Sequence, residues 1–213
     1  MTLRITEIFS SIQGETTYAG LPTTFVRLTG CPLRCHYCDT EYAFHGGERW
    51  TLDEIEQDVV ARGLANVCVT GGEPLAQPLV LDLMTRLCDR GLAVSLETSG
   101  ALSVEPVDAR VARIVDFKTP DSGESGRNLW GNAQVLKSRD QVKFVICSRT
   151  DYEWARMKLA EHELSDRAGE VLFSPSFGQL NAADLAGWIV QDRLPVRLQL
   201  QMHKSIWGDE RGR

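Results

Sequence analysis

Apolar residues recur along this chain in two alternating periods. Short runs suited to buried strands fall at residues 67–70, 93–96, 114–117, 142–146 and 171–173. Residues 24–28 add an earlier strand, 3–9 a further N-terminal one, and 196–201 the last. Between the runs the period lengthens to that of a helix. Ile55, Val59 and Val60 follow Thr51-Leu-Asp-Glu54, which has the spacing of a capping box. Leu79, Leu83 and Leu87 share one side of a helix from about Pro78 to Gly91. Residues 152–164 predict a third helix and 181–190 a short fourth. Strand–helix alternation predicts βαβ units, an α/β fold and a mostly parallel sheet. A partial, open barrel and a doubly wound sheet both satisfy the pattern, and in either the site forms at the carboxyl ends of the strands. The chain shows no internal repeat. Residues 121–131, DSGESGRNLWG, predict a mobile surface loop.

Composition narrows the function classes. A formal charge of −6 argues against a broad nucleic-acid footprint, and no basic run suits a membrane surface. The N-terminus lacks the apolar core of a signal peptide, and no stretch is long enough to span a bilayer, so a cytoplasmic protein is expected. Three of the six cysteines crowd into Cys31-Pro-Leu-Arg-Cys35-His-Tyr-Cys38, while Cys68, Cys88 and Cys147 are scattered in apolar surroundings as core residues. Three thiolates at C-x3-C-x2-C can hold three irons of a 4Fe–4S cubane and leave the fourth open. A structural zinc site favours four ligands, and His36 stands too close to Cys35 to supply one.

This spacing, with Tyr37 before the last cysteine, resembles the radical S-adenosylmethionine superfamily. The resemblance implies a partial β/α barrel of about six core parallel strands, with fewer helices than a full barrel. It also implies S-adenosylmethionine chelated to the open iron and cleaved by one electron, so that a 5′-deoxyadenosyl radical removes hydrogen from a substrate. Gly71-Gly72-Glu73-Pro resembles the motif for the methionine amino group, with glycine carbonyls close to the ammonium and Glu73 adding charge. Glu97 and Thr98 resemble the ribose-contacting position. Tyr37, Lys118 and Ser174 complete the expected cosubstrate contacts.

Glu7-Ile-Phe-Ser-Ser-Ile-Gln13-Gly14-Glu15, Phe25-Val-Arg27, Cys38-Asp-Thr40 and Gln199-Leu-Gln-Met-His203-Lys-Ser-Ile-Trp207-Gly resemble the 7-carboxy-7-deazaguanine synthase family. The resemblance implies a carbon–nitrogen lyase. It would convert 6-carboxy-5,6,7,8-tetrahydropterin to 7-carboxy-7-deazaguanine, on the route to queuosine, by ring contraction and loss of ammonia. Gln13, Gly14 and Glu15 would read the pterin edge, Arg27 would clamp its carboxylate with His203 nearby, and Thr40 would hold Mg2+. A flavodoxin or ferredoxin donor and a homodimer are further implications. Thr16 and Asp116 depart from the family pattern. The whole chain, 1–213, reads as one radical domain, whose N-terminal strand and C-terminal tail complete the substrate pocket. Trp207 is expected to anchor that tail as a lid. Two alternatives remain: an activating enzyme for a glycyl-radical protein, and a non-enzymatic zinc- or iron-binding interaction module.

Overall fold

The computed structural model describes residues 1–208, 210 and 212. Its strands are β1 (Thr2–Ile12), β2 (Pro22–Leu28), β3 (Glu48–Thr51), β4 (Asn66–Gly71), β5 (Ala93–Thr98), β6 (Ala112–Asp116), β7 (Gln141–Ile146), β8 (Glu170–Pro175) and β9 (Arg197–Leu198). They form one open sheet in the order β3-β1-β2-β4-β5-β6-β7-β8-β9. From β2 to β9 every pairing is parallel, while β1 runs antiparallel to β2 and β3. Seven parallel strands thus stand where about six were expected, the last only two residues long. The helices are α1 (Leu52–Ala61), α2 (Val80–Asp89), α3 (Arg149–Glu161), α4 (Leu164–Arg167), α5 (Ala182–Asp192) and α6 (Met202–Trp207). The Thr51 hydroxyl accepts from Glu54 N, and the Glu54 carboxylate accepts from Thr51 N, which closes the predicted capping box.

Successive side chains in a strand point to opposite faces of the sheet, and here the two faces have separate tasks. Val26, Leu28, Val67, Val69, Leu96, Val115, Val142, Phe144, Ile146 and Phe173 belong to the core. So do Ile55 and Val59 of α1, Leu83, Met84 and Leu87 of α2, Tyr152 and Leu159 of α3, and Leu185 of α5. The intervening residues Phe25, Arg27, Thr70, Glu97, Ile114, Asp116, Lys143, Val145 and Ser174 line a cavity instead. One alternation therefore builds both the core and the site.

Two expectations need correction. The strand predicted over 196–201 shrinks to Arg197–Leu198, and the chain turns into α6, so His203 rides on a short helix. The 121–131 loop is not a free surface loop. Ser122 is buried and its carbonyl accepts from His36 N at 3.0 Å. The Glu124 carboxylate accepts from Arg34 N at 2.6 Å. Asn128 brackets Lys118, accepting from its N–H at 2.8 Å and donating to its carbonyl at 2.9 Å. The cysteine loop has no strand partner for its backbone, and this polar segment provides one.

Candidate active site

The cavity has a volume of about 590 Å³ and opens at the carboxyl ends of the parallel strands. Its wall includes Cys31, Cys35 and Cys38, all three reduced. Burial pushes the Cys35 thiol up to about 11 and raises Cys31 and Cys38 as well, while the Lys118 cation pulls all three back. A metal that takes thiolates must therefore displace their protons. Cys68 is fully buried and Cys88 packs against the core, whereas Cys147, expected in apolar surroundings, is half-buried beside Ser176 and Asp151; none of the three lines the cavity.

Around the cysteines the backbone is packed tightly. A Cβ on Gly72 would stand 2.3 Å from the Gly30 carbonyl oxygen and 2.8 Å from Cys31 Cβ, so only glycine fits. Gly71 has φ +156°, and a Cβ there would meet the Leu28 carbonyl at 2.4 Å. Tyr37, whose hydroxyl is buried without a hydrogen-bond partner among the described residues, has its ring 5.7 Å from Lys118 Nζ. Lys118 Nζ in turn pairs with Asp116 at 3.0 Å, and Asp116 Oδ1 is also buried and unpartnered. Burial would lower the Lys118 pKa, but Asp116, Tyr37 and Cys35 outweigh it and raise it well above the ordinary value. Asp116, a departure at the sequence level, thus partners the retained lysine. A three-thiol loop, a glycine cradle and orphaned polar atoms in one cavity fit a cluster with a polar cosubstrate. Ser174, buried on the same wall, also fits that reading.

One expected cosubstrate contact sits elsewhere. Glu73 is fully buried and does not line the cavity. Its carboxylate accepts from Leu75 N at 2.9 Å, Thr98 Oγ1 at 2.9 Å, Ser99 N at 2.7 Å and Ser99 Oγ at 2.5 Å. Its lone pairs are taken, so Glu73 ties the β4 turn to the β5 end and does not present charge to a ligand. Thr98 lines the cavity, but its hydroxyl is committed to Glu73. Glu97 faces the expected pterin-reading residues: it accepts from Gln13 Nε2 at 3.2 Å and from Thr70 Oγ1 at 3.2 Å.

Those residues form a connected polar floor. Gln13 Oε1 accepts from Glu15 N at 3.1 Å, and Gln201 Nε2 donates to Glu15 at 2.8 Å. Lys143 Nζ closes an ion pair with Glu15. Burial alone would raise the Glu15 pKa; Lys143 outweighs it and holds it below the ordinary value. Glu97 goes the other way, raised by burial and by Glu15, against the pull of Lys143 and Arg27. The cross-strand pair Glu7–Arg27 places Arg27 Nε 2.8 Å from the Glu7 carboxylate, which Tyr42 also contacts at 2.8 Å. Gly14 lies against His203; a Cβ there would meet His203 Nδ1 at 2.2 Å. Met202 N donates to the Gly14 carbonyl at 2.9 Å, locking α6 over this turn. The Thr40 hydroxyl donates to Asp39 at 2.7 Å and faces the cavity.

In the tail, Gly208, Glu210 and Gly212 line the cavity. Trp207, the anchor expected from the sequence, is half-buried and does not itself line the cavity. Residues 209, 211 and 213 of the proposed lid lie outside the described residues. Lys143, Thr70, Asp39 and Gln201 were not singled out from sequence. Lys143 carried a signal, a lone lysine inside the buried run Val142-Lys-Phe-Val-Ile.

Comparison with known proteins agrees with this geometry. The Radical SAM superfamily model matches residues 25–118. A 7-carboxy-7-deazaguanine synthase of Chlorobaculum tepidum is 47% identical, over 99% of this chain and 97% of that one. The synthase of Koribacter versatilis is 43% identical, over 98% of each. Among solved structures, QueE from Escherichia coli superimposes with a TM-score of 0.75 over 95% of both chains at 24% identity, a likeness of fold. Streptococcus suis SuiB bound to S-adenosylmethionine gives 0.61 at 14% identity, over 81% of this chain and 48% of that one. The chain belongs to the 7-carboxy-7-deazaguanine synthase family of radical S-adenosylmethionine enzymes.

Proposed function

We propose that this protein converts 6-carboxy-5,6,7,8-tetrahydropterin to 7-carboxy-7-deazaguanine and ammonia in the cavity described above. The observation that carries the reading is the union, in one 590 Å³ cavity, of the three-cysteine loop with Arg27, Gln13, Glu15 and His203. Cys31, Cys35 and Cys38 would hold the 4Fe–4S cluster, with Tyr37, Gly71, Gly72, Lys118 and Ser174 around the cosubstrate. A reduced cluster with S-adenosylmethionine supplies one-electron carbon–sulfur cleavage and hydrogen-atom abstraction.

The chain's own residues bind, orient and shield. The Arg27 guanidinium offers a planar fork to the substrate carboxylate, and its Nε is steadied by Glu7. Glu15, kept ionised by Lys143, accepts from the N–H groups of the pyrimidine edge, and Gln13 both donates and accepts beside it. His203 covers the Gly14 turn. Thr40, with Asp39 beside it, would contribute one oxygen to Mg2+, whose other ligands are water and substrate oxygens. The tail residues that line the cavity mouth help keep water from the site.

Such a floor suits a small polar heterocycle better than the glycine loop of a protein partner. The chain is read as one radical domain, supplied with electrons by a flavodoxin or ferredoxin, acting as a homodimer in the cytoplasm. No helix among the described residues is long and apolar enough to cross a membrane. The test is to reconstitute the protein anaerobically, reduce it, and supply S-adenosylmethionine with the carboxytetrahydropterin. Deazaguanine detected by mass is the expected result. Cleavage of S-adenosylmethionine with no deazaguanine would overturn the substrate assignment.

A further inference from the structure

The polar floor holds two carboxylates under opposite constraints. Glu15 is gripped by a lysine and a glutamine amide. Glu97, one residue along from Leu96 of the core, has no cation in hydrogen-bonding contact among the described residues; its partners are the Gln13 amide, the Thr70 hydroxyl and the Cys68 thiol. The charged and titratable groups that act on it are Glu15, Lys143, Arg27 and Cys68. Register sets its position along the site. Arg27 pairs with Thr70 across β2 and β4, and Thr70 follows the Val69–Leu96 pair, so Arg27, Thr70 and Glu97 stand in one row of the sheet. Gln13 continues the connection from Glu97 to Glu15. Glu97 therefore lies between the carboxylate-binding end at Arg27 and the base-reading end at Glu15.

That interval has a chemical meaning, resting on the function proposed above. The substrate's carboxylated carbon and its pyrimidine ring are separated by one nitrogen. Ring contraction joins those two carbons directly, so this nitrogen is the one lost. A substrate held by Arg27 at one end and by Gln13 and Glu15 at the other brings it over the middle of the floor.

We propose that Glu97 is the catalytic proton donor for ammonia loss, placed between the two anchoring ends of the site. In the step, the carbon–nitrogen bond breaks with its electron pair passing to nitrogen. The Glu97 carboxyl proton completes ammonia. A proton leaves the ring carbon, its C–H electron pair forms the new carbon–carbon double bond, and Glu97 is reprotonated by it. One proton goes out and one returns, with no net oxidation. Burial and the Glu15 charge favour the neutral acid that this role needs.

The test is Glu97→Gln, which keeps size and polarity but cannot transfer the proton, assayed with substrate deuterated at the carboxylated carbon. Deazaguanine formation should fall by about 10²–10⁴-fold, the usual worth of a positioned acid. Deuterium should still pass to 5′-deoxyadenosine, KM should change little, and Glu97→Asp should recover part of the rate. The wild-type rate should decline on the alkaline side, and Glu97→Gln should lack that limb. Independently of activity, infrared difference spectra of wild type against Glu97→Gln should show one protonated carboxyl at neutral pH. Wild-type turnover in Glu97→Gln, loss of deuterium transfer together with product, or an ionised Glu97 in the infrared would each overturn the assignment. Wild-type protein that makes no deazaguanine would overturn the function, and this proposal with it.

Discussion

The cysteine loop and the polar floor share one cavity but are built in opposite ways. Cys31, Cys35 and Cys38 come from eight consecutive residues, held from outside by Ser122 and Glu124. Gln13, Glu15, Thr70, Glu97, Lys143 and Gln201 come from five separate segments, and their bonds span up to 186 residues. The loop's chemistry is local, since close spacing alone lets three thiols meet one cluster. The floor's chemistry is a property of the tertiary fold, since parallel register sets Thr70 beside Glu97 while Lys143 of β7 and the turns that carry Gln13, Glu15 and Gln201 come in from distant segments. Substitutions should thus separate the two: loop changes remove the reagent, floor changes remove its direction.

The largest effect should come from the loop. Ala at Cys31, Cys35 or Cys38 should abolish both iron–sulfur absorbance and S-adenosylmethionine cleavage. Ser at Cys68, Cys88 or Cys147 should leave iron per chain unchanged. Equal iron loss from the two sets would erase the distinction between them.

Next comes the carboxylate end of the floor. A carboxylate buried without its charged partner costs about 3–5 kcal/mol, so Arg27→Ala should lower kcat/KM for the pterin by at least about two orders of magnitude. Cosubstrate binding to the cluster should persist, and Arg27→Lys should recover little because it lacks the planar fork. Ordinary pterin kinetics in Arg27→Ala would move the clamp elsewhere.

Lys143→Met should weaken pterin use through Glu15 and also lower stability, with a pH signature. In the wild type, Glu15 titrates below its ordinary value, so it contributes stability above an unfolded pKa of about 4.3 and loses it as pH falls through the folded value. Without Lys143, burial and Asp39 push Glu15 up, so the variant loses stability as pH rises through that raised value. The difference in Tm should be wider at about pH 8 than at about pH 5. A pH-independent difference would mean that Lys143 only fills space.

The smallest effect should come from the tail. Deleting residues 208–213 removes Gly208, Glu210 and Gly212 from the cavity wall while leaving both regions in place. Turnover should fall a few-fold, with more S-adenosylmethionine cleaved per product formed. Unchanged coupling in the truncated protein would show that the tail does not close the site.

Elements whose signal is local were legible without coordinates. The Thr51 capping box, the apolar faces of α2 and of α1 apart from the exposed Val60, and the strands of the parallel sheet apart from β9 were read close to their observed bounds. The misreadings have a common cause. Glu73 and Glu97 are both carboxylates at strand ends, alike in sequence, yet one turns inward to satisfy Ser99 and Thr98 while the other faces the cavity. Which way each turns depends on donors more than twenty residues away. The 121–131 loop looked free because its partners, Arg34 and His36, are as distant. Trp207 looked like an anchor because aromatic rings bury themselves, but only packing decides against what.

Sequence by itself determined the chemistry available to this protein: three thiols spaced for one cluster, glycines where the backbone must approach closely, and an arginine and a glutamine-glycine-glutamate turn able to meet a carboxylate and a donor–acceptor edge. These follow from covalent spacing and side-chain type, which folding does not alter. The tertiary structure alone decided how each carboxylate is held. Lys143, 128 residues from Glu15, keeps it below its ordinary pKa, while Glu97 beside them has neutral hydrogen-bond partners and a pKa raised by burial and by Glu15. The reason is that burial penalises every charge alike, and only the register of distant strands determines which of them receives a counter-ion.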